Sequence, residues 1–387
     1  MSDPAVLSAI NHRAVDAYIA KLRRRQVVGS REAALETLRV LRQVVSKARF
    51  SNIEQLTGII RGVGGRLVEA QPKEHSVGNT IRKILHHVRD EYNAASKATK
   101  AKESRSERTE YSLANFISQG QIRKDSVWPT LHQPLAEDEA PITLRENDSN
   151  DPDSFAKVMK PVVMDAIQDV LDELETVYDN IAKTAREHIN PDEIILTIGH
   201  SKTVEAFLKA AAHYRSYTVI VAETGPSYSG HTMAKALSAA GISTFLVPDS
   251  SIYALMSRVT KVVLGAHAIL ATGGMFAITG SLLAATAART HSTPVVVCAG
   301  QFKFTPLWNL YHEYGALDFA DPSSVLGFEE GALVDKVEVL NPYYDYVAPD
   351  LVDVFVTNDG DHPPSSIYRL IKETYDDEDT TLEYKSK

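Results

Sequence analysis

A single cysteine, Cys298, in 387 residues leaves no partner for an internal disulfide and no second thiolate for a CxxC zinc site. That usage fits a reducing compartment. There is no excess of base: 41 Lys and Arg against 50 Asp and Glu give a net charge of −9, the opposite of the basic stripe carried by a dedicated nucleic-acid binder. The opening residues, MSDPAVLSAI, hold no basic stretch and no long apolar run, so no secretory leader is expected. Residues 262–288 lack Asp, Glu, Lys and Arg and reach the ~20 residues that cross a bilayer. Polar and glycine residues from His267 to Ser281 interrupt that run, and Leu and Ile are few. A short strand, a glycine-rich turn and an alanine-rich buried helix account for it better than a membrane span.

The residues that are present divide the chain into unlike parts. Up to about residue 95 the apolar spacing is helical, over 14–26, 31–47, 51–60 and up to about 93. Ala34, Leu38, Leu41 and Val45 share one face of the second helix. Gly29 ends the first helix, and Ser30, Ser51 and Ser76 or Asn79 are the expected caps of the next three. Residues 96–153 have little apolar periodicity, beginning basic (Lys97 to Arg108) and turning acidic (Glu137 to Asp153). They read as a charged, partly disordered insertion. Helical spacing returns over 155–188, with Pro161 expected in a first turn.

From residue 192 onward short apolar runs alternate with helical segments. Strands are expected at 194–198, 218–222, 244–247, 261–264, 294–299 and 351–356, with helices between them and at 367–374. The runs are continuously apolar, which suggests strands covered on both faces. The order implies a parallel, Rossmann-like sheet. The expected class is therefore α/β: an N-terminal helical domain (1–95, completed by 154–191 after the insertion) followed by a Rossmann-like domain over 192–387 with an acidic tail, Asp376 to Asp379.

In such a sheet ligands sit at the carboxyl ends of the strands. Those ends carry Gly199-His200-Ser201, the run from Glu223 to His231, and Gly265-Ala266-His267 followed by Thr272-Gly273-Gly274 and Thr279-Gly280-Ser281. Gln301-Phe302-Lys303-Phe304 lies at the last of them. Three chemistries compete. His200, His231 and His267 near three strand ends suggest a metal. Gly273, Gly274 and Gly280 flanking a helix start suggest a phosphate, although the spacing is neither GxGxxG nor GxxxxGK[ST]. Acid–base or nucleophilic catalysis has a thin inventory, because Cys298 sits among apolar strand residues and reads as buried.

The same stretches carry a resemblance. LTIGHSKTVEAFLKAA, VIVAETGPSYSGHTMAKALSAAGI, ALMSRVTKVVLGAHAILATGGMFAITGSLLAATAARTHSTPVVVCAGQFKF and NPYYDYVAPDLVDVFVTNDGDHPPSSIYRLI resemble the family of the alpha, beta and delta subunits of eukaryotic translation initiation factor 2B. That family also contains the methylthioribose-1-phosphate and ribose-1,5-bisphosphate isomerases. The isomerases use a cysteine where Gly199 stands and an aspartate where His267 stands. Their phosphate-binding arginine is replaced by Gly225, and a glutamine by Ser229. Glycine cannot move a proton, and one histidine does not easily serve both ends of a proton shift. Losing a bidentate arginine also removes the strongest phosphate anchor.

The resemblance therefore implies a non-catalytic regulatory subunit of the guanine-nucleotide exchange complex for translation initiation factor 2, in the cytoplasm, with no cofactor, metal, membrane or direct nucleic-acid contact. The implied partners are the alpha, gamma, delta and epsilon subunits and factor 2 itself, including its phosphorylated alpha subunit. His200, Ser201, His231, Gly273 and Gly274 are candidates for a vestigial pocket or a subunit interface. Arg42, Lys47, Arg49, Arg82, Lys83 and Arg89 are candidates for a basic, client-facing helical surface, with Arg23, Arg24, Arg25 and Arg31 nearby. The alternatives are a sugar-phosphate isomerase with a rearranged site and a homo-oligomeric small-molecule-binding protein of the same fold. One outcome follows from the insertion alone. A chain lacking residues 100–150 is expected to unfold at the same temperature as the full chain, since loop closure costs grow slowly with length. A large drop in a thermal melt would show the segment to be docked structure.

Overall fold

The computed structural model describes residues 9–94, 152–308 and 318–382. Most of the charged insertion, 96–151, lies outside the described residues, whereas Pro152 and Asp153 belong to a helix. The amino-terminal helices are α1 (Ala9–Arg23), α2 (Ser30–Lys47), α3 (Ile53–Ala70) and α4 (75–94). Their apolar faces meet in a core where Leu22, Leu38, Leu41, Leu56, Ile60, Leu67, Ile81, Ile84 and Leu85 are fully buried. The expected face of α2 is the observed one: Ala34, Leu38, Leu41 and Val45 are all buried.

The caps differ from expectation. Gly29, at φ +102°, is itself the cap of α2, and Ser30 is the first helical residue. Asn52 rather than Ser51 caps α3, its Oδ1 accepting from the Gln55 amide at 2.8 Å. Ser51 is engaged instead by the Gln55 side chain. That helix also runs ten residues beyond its expected end, its glycines tolerated because Leu56, Ile60, Val63 and Leu67 form one buried stripe. Ser76 and Asn79 lie inside α4.

The long helix α5 (Pro152–Lys183) passes straight through Pro161. Pro161 sits on the exposed side, where water can take the carbonyl it orphans. Buried Met159, Val163, Ile167 and Val170 hold the helix on both flanks. A single turn, α6 (Ala185–His188), then leads into the sheet domain.

That domain alternates β1 (Ile194–Ile198), α7 (Lys202–Ala212), β2 (Thr218–Ala222), α8 (Ser229–Ala239), β3 (Ser243–Val247), α9 (Ile252–Met256) and β4 (Lys261–Gly265). After β5 (Ala268–Leu270) and β6 (Met275–Ile278) come α10 (Ser281–His291), β7 (Val295–Cys298) and β8 (Phe304–Thr305). The chain closes with β9 (Tyr344–Val347), β10 (Val354–Thr357), β11 (Gly360–His362) and α11 (Ile367–Thr374). Seven strands form one sheet in the order β11-β10-β7-β4-β1-β2-β3, parallel except for the β10–β11 hairpin.

Successive residues along its strands go to opposite cores. Ile195, Val263, Val296 and Val356 pack with the amino-terminal helices, α5 and α7. Leu196, Val262, Leu264, Val297 and Phe355 pack with α9, α10 and α11. Burial on both faces is why these strands read as continuous apolar runs. The edge strand β3 is the exception, because Phe245 is 59% and Leu246 46% exposed. The last expected strand also begins later than read, at Val354, since 349–351 is a helical turn.

A second, four-stranded sheet, β8-β5-β6-β9, stands beyond the carboxyl end of β4 and was not expected. The joint between the helical and sheet domains runs through α7, where Phe207 is fully buried in the shared core. Phe207→Ala is expected to cost about 3–5 kcal/mol, as for other aromatic deletions in cores, read as a lowered urea midpoint at unchanged slope.

Candidate functional site

The strand order reverses between β1 and β4: β2 and β3 lie on one side of β1, and β4, β7 and β10 on the other. In open α/β sheets the crevice at such a switch point is the usual ligand site. Here the protein's own side chains fill it. Gly199, just after β1, has φ +64°, and a Cβ there would sit 2.8 Å from Ile278 Cδ1 of β6. A Cβ on Gly265, ending β4, would sit 2.6 Å from Ser201 Oγ. Ser201 caps α7, and His200 points along that helix, its Nε2 2.8 Å from Glu205 Oε2, which in turn pairs with Lys209 at the other oxygen.

His267 turns toward the amino-terminal helices. Its Nε2 donates to the Lys73 carbonyl at 3.0 Å, because a carbonyl can only accept. In the neutral ring Nδ1 then accepts from Ser30 Oγ at 3.2 Å. The ring stacks on Tyr344 of β9 at 4.1 Å and meets His75 edge-on. His75 lies flat against Phe276, and burial, with repulsion from His267, Arg82 and Lys73, takes its pKa down to about 3. Lys303 reaches in from the last strand end and donates to the Ala266 carbonyl at 2.6 Å. Burial lowers its pKa to about 8, against the pull of Glu74 and Cys298. Cys298 itself is fully buried in β7, and burial pushes its thiol well up.

Two pairs of backbone amides at these strand ends are suited to an anion, and an internal aspartate takes each. Asp249 accepts from the Thr224 and Gly225 amides at 2.9 and 2.7 Å. Asp345 of β9 accepts from the Gly280 and Leu282 amides, where α10 begins, at 2.8 and 3.1 Å. Burial holds the Asp345 carboxyl above its usual range, against those two hydrogen bonds. The phosphate geometry expected around Gly273 and Gly274 is therefore absent. A Cβ on Gly273 would meet the Pro364 carbonyl, and one on Gly274 the Tyr346 ring, so both glycines serve close packing. Ser229 lies within reach of Ser227 Oγ at 3.4 Å. His231 is exposed and packs edge-on to Tyr228. The three histidines thus face three different sets of partners, and among the described residues no group of three His, Cys, Asp or Glu is placed to hold a metal ion. Among those same residues no helix is long and apolar enough to cross a membrane.

The basic candidates separate into two groups. Arg42, Lys47 and Arg49 are exposed on and just after α2. Arg82, Lys83 and Arg89 are engaged from within. Arg82 is 4% exposed and donates to the Asp379 and Thr380 carbonyls, both at 3.0 Å. Lys83 pairs with Glu173 of α5, and Arg89 with Asp376 and Asp379. A charge pattern along one helix cannot reveal acids some 290 positions away. Arg25 pairs with Asp318 and covers the Tyr343 ring, and Arg31 donates to the Leu174 carbonyl at 2.7 Å. His75 and Tyr344, whose rings meet that of His267, carried no motif that would have singled them out.

A helical domain seated on a switch-point sheet, with a small second sheet covering the crevice, defines the structural class as an α/β protein of the open, doubly wound kind. Residues 26–364 match the Initiation factor 2 subunit family, and the chain belongs to that family. It is 41% identical over 398 residues to translation initiation factor eIF2B subunit beta of Schizosaccharomyces pombe, covering 97% of this chain and 100% of the relative. The fold superposes on a chain of the tetrameric eIF2B-beta2-delta2 complex of C. thermophilum with a TM-score of 0.66 at 28% identity, covering 97% of this chain and 100% of that one. A ribose 1,5-bisphosphate isomerase of Pyrococcus furiosus is 29% identical over 219 residues, 56% of this chain and 67% of the relative.

The filled amide pairs give a test. Asp345→Ala is expected to destabilise by about 1–2 kcal/mol, the cost of a lost helix cap. Asp345→Asn keeps an acceptor. Because the native carboxyl titrates above its ordinary 3.8, wild-type stability falls as pH rises through that window, and the Asn variant is expected to gain on wild type over the same rise. Parallel urea curves for the two proteins across that range would exclude a raised pKa.

Proposed function

We propose that the chain is a beta-type, non-catalytic regulatory subunit of the guanine-nucleotide exchange complex for translation initiation factor 2, acting in the cytoplasm and helping to sense phosphorylation of the factor's alpha subunit. The observation that carries this reading is the 41% identity maintained over the whole length of a beta subunit. The runs ILTIGHSKTVEAFL, ALMSRVTKVV and HSTPVVVCA resemble that subunit. The alpha, gamma, delta and epsilon subunits are the proposed partners. The delta-type pairing draws support from a relative that assembles as a beta2-delta2 tetramer and from the open, apolar edge of β3.

The crevice supports a lost isomerase chemistry. Gly199 offers no titratable group and has Ile278 in the space a side chain would need. Both ring nitrogens of His267 are engaged. The amides that would greet a phosphate already hold Asp249 and Asp345. The isomerase alternative rests on the family likeness alone. A phosphate on a client carries roughly −1.5 to −2 charges, and Arg42, Lys47 and Arg49 are the proposed surface for it, Arg82 being excluded by its burial.

Co-expression with a delta-type paralogue is expected to yield an equimolar hetero-oligomer, and Phe245→Asp with Leu246→Asp to weaken it. The pure chain is expected not to turn over methylthioribose-1-phosphate or ribose-1,5-bisphosphate. Reversing Arg42, Lys47 and Arg49 together is expected to relieve inhibition of exchange by the phosphorylated client. A monodisperse, active homodimer indifferent to the paralogue would sink the proposal.

A further inference from the structure

The acidic run from Asp376 to Asp379 is docked on the amino-terminal helices. Asp379 has no solvent exposure, and its carboxylate accepts from Arg61 of α3 at 2.6 Å and from both terminal nitrogens of Arg89 of α4, at 2.5 and 3.1 Å. The main chain on either side of that carboxylate is held as well, since Arg82 donates to the Asp379 and Thr380 carbonyls. Asp376, just before, accepts from His86 at 3.1 Å and from Arg89. Two apolar anchors flank the charges. Tyr375, 3% exposed, donates from its hydroxyl to the Phe304 carbonyl of β8 at 2.9 Å. Leu382, 5% exposed, packs in the core of the amino-terminal helices. The segment thus leaves the sheet domain at α11, is pinned to the second sheet by Tyr375, and ends inside the helical domain.

We propose that residues 375–382 form an internal strap: the groove between α3 and α4 is a binding site for an acidic segment, occupied by the chain's own carboxyl end, and this docking fixes the orientation of the amino-terminal helices relative to the sheet. Surface ion pairs would not do this, because they contribute little. A carboxylate sealed from water and matched by two guanidinium groups is different, because removing either side strands an uncompensated charge. The same docking keeps Arg89, paired with the carboxylate, and Arg82, bonded to the Asp379 and Thr380 carbonyls, from serving an outside anion. The surface presented by α2, on the far side of this tie in sequence, is then set by how firmly the strap holds.

The test uses the full chain. Spin labels on cysteines replacing exposed Arg42 of α2 and Lys235 of α8 report the distance between the domains, Cys298 being fully buried. Asp379→Asn is expected to broaden that distance distribution. It is also expected to speed amide exchange in α3 and α4 on the order of 100-fold, with β1, β4 and β7 unchanged, as for a sub-global opening. Arg61→Gln, which removes one half-exposed partner, is expected to give the same pattern at smaller amplitude and carries the test if Asp379→Asn does not fold. An unchanged, narrow distribution, or exchange that rises equally in helices and strands, overturns the proposal: the segment would then be ordinary core rather than a strap.

Discussion

A carboxylate with no access to water must be neutralised where it stands, and Asp379 is neutralised by side chains from the opposite end of the sequence. That requirement couples parts of the molecule that local structure would leave independent. The helices α3 and α4 must approach each other closely enough for Arg61 and Arg89 to share one acid. The last helix, α11, must deliver that acid to them. At a second place the joint is closed without charge. His267 reaches from the end of β4 to Ser30 at the start of α2 and to the turn before α4, and its ring lies on Tyr344. The shared core under α5 and α7 supplies the apolar burial between these two polar ties. A satisfied buried polar tie is costly to break because it would strand its members, and it leaves few alternative ways of seating one domain on the other.

The crevice at the switch point is filled from within. An open site needs donors aimed at absent atoms, and buried donors without partners are costly. Asp249 and Asp345 take the amide pairs at two strand ends, Asn358 takes the Gln301 amide at a third, and Ile278 fills the space beside Gly199. The second sheet is the device that brings in two of these four groups, since Ile278 is on β6 and Asp345 is on β9.

The parallel sheet was legible because its strands are buried on both faces and carry Val, Ile and Leu without interruption. Ile194–Ile198, Thr218–Ala222 and the helix Ile367–Thr374 fall where the apolar pattern put them. The second sheet was not legible. Its strands are two to four residues long, and within 262–288 they are spaced by Thr272, Gly273 and Gly274, which read as a turn before a helix. Pro161 was misread for a related reason. Its local effect is to break a helix, but packing along a 32-residue helix outweighs one lost hydrogen bond on a solvated side.

At the site, the lack of a titratable side chain at Gly199 and Gly225 could be seen in the sequence, because it concerns single positions. The long-range hydrogen-bond partners of His267, Arg82 and Arg89 could not, because they lie 194 to 298 positions away. The consequence for surface charge is direct. Lys83 and Arg89 look like equals of Lys47 and Arg49 in a list of bases, yet the first two are paired inside the molecule and the last two are exposed. The net charge of −9 is therefore unevenly meaningful: part of the acid is spent on arginines of the amino-terminal helices, while Arg23, Arg24, Arg42, Lys47 and Arg49 stay exposed. Geometry, not bulk charge, decides where an anionic group could be received.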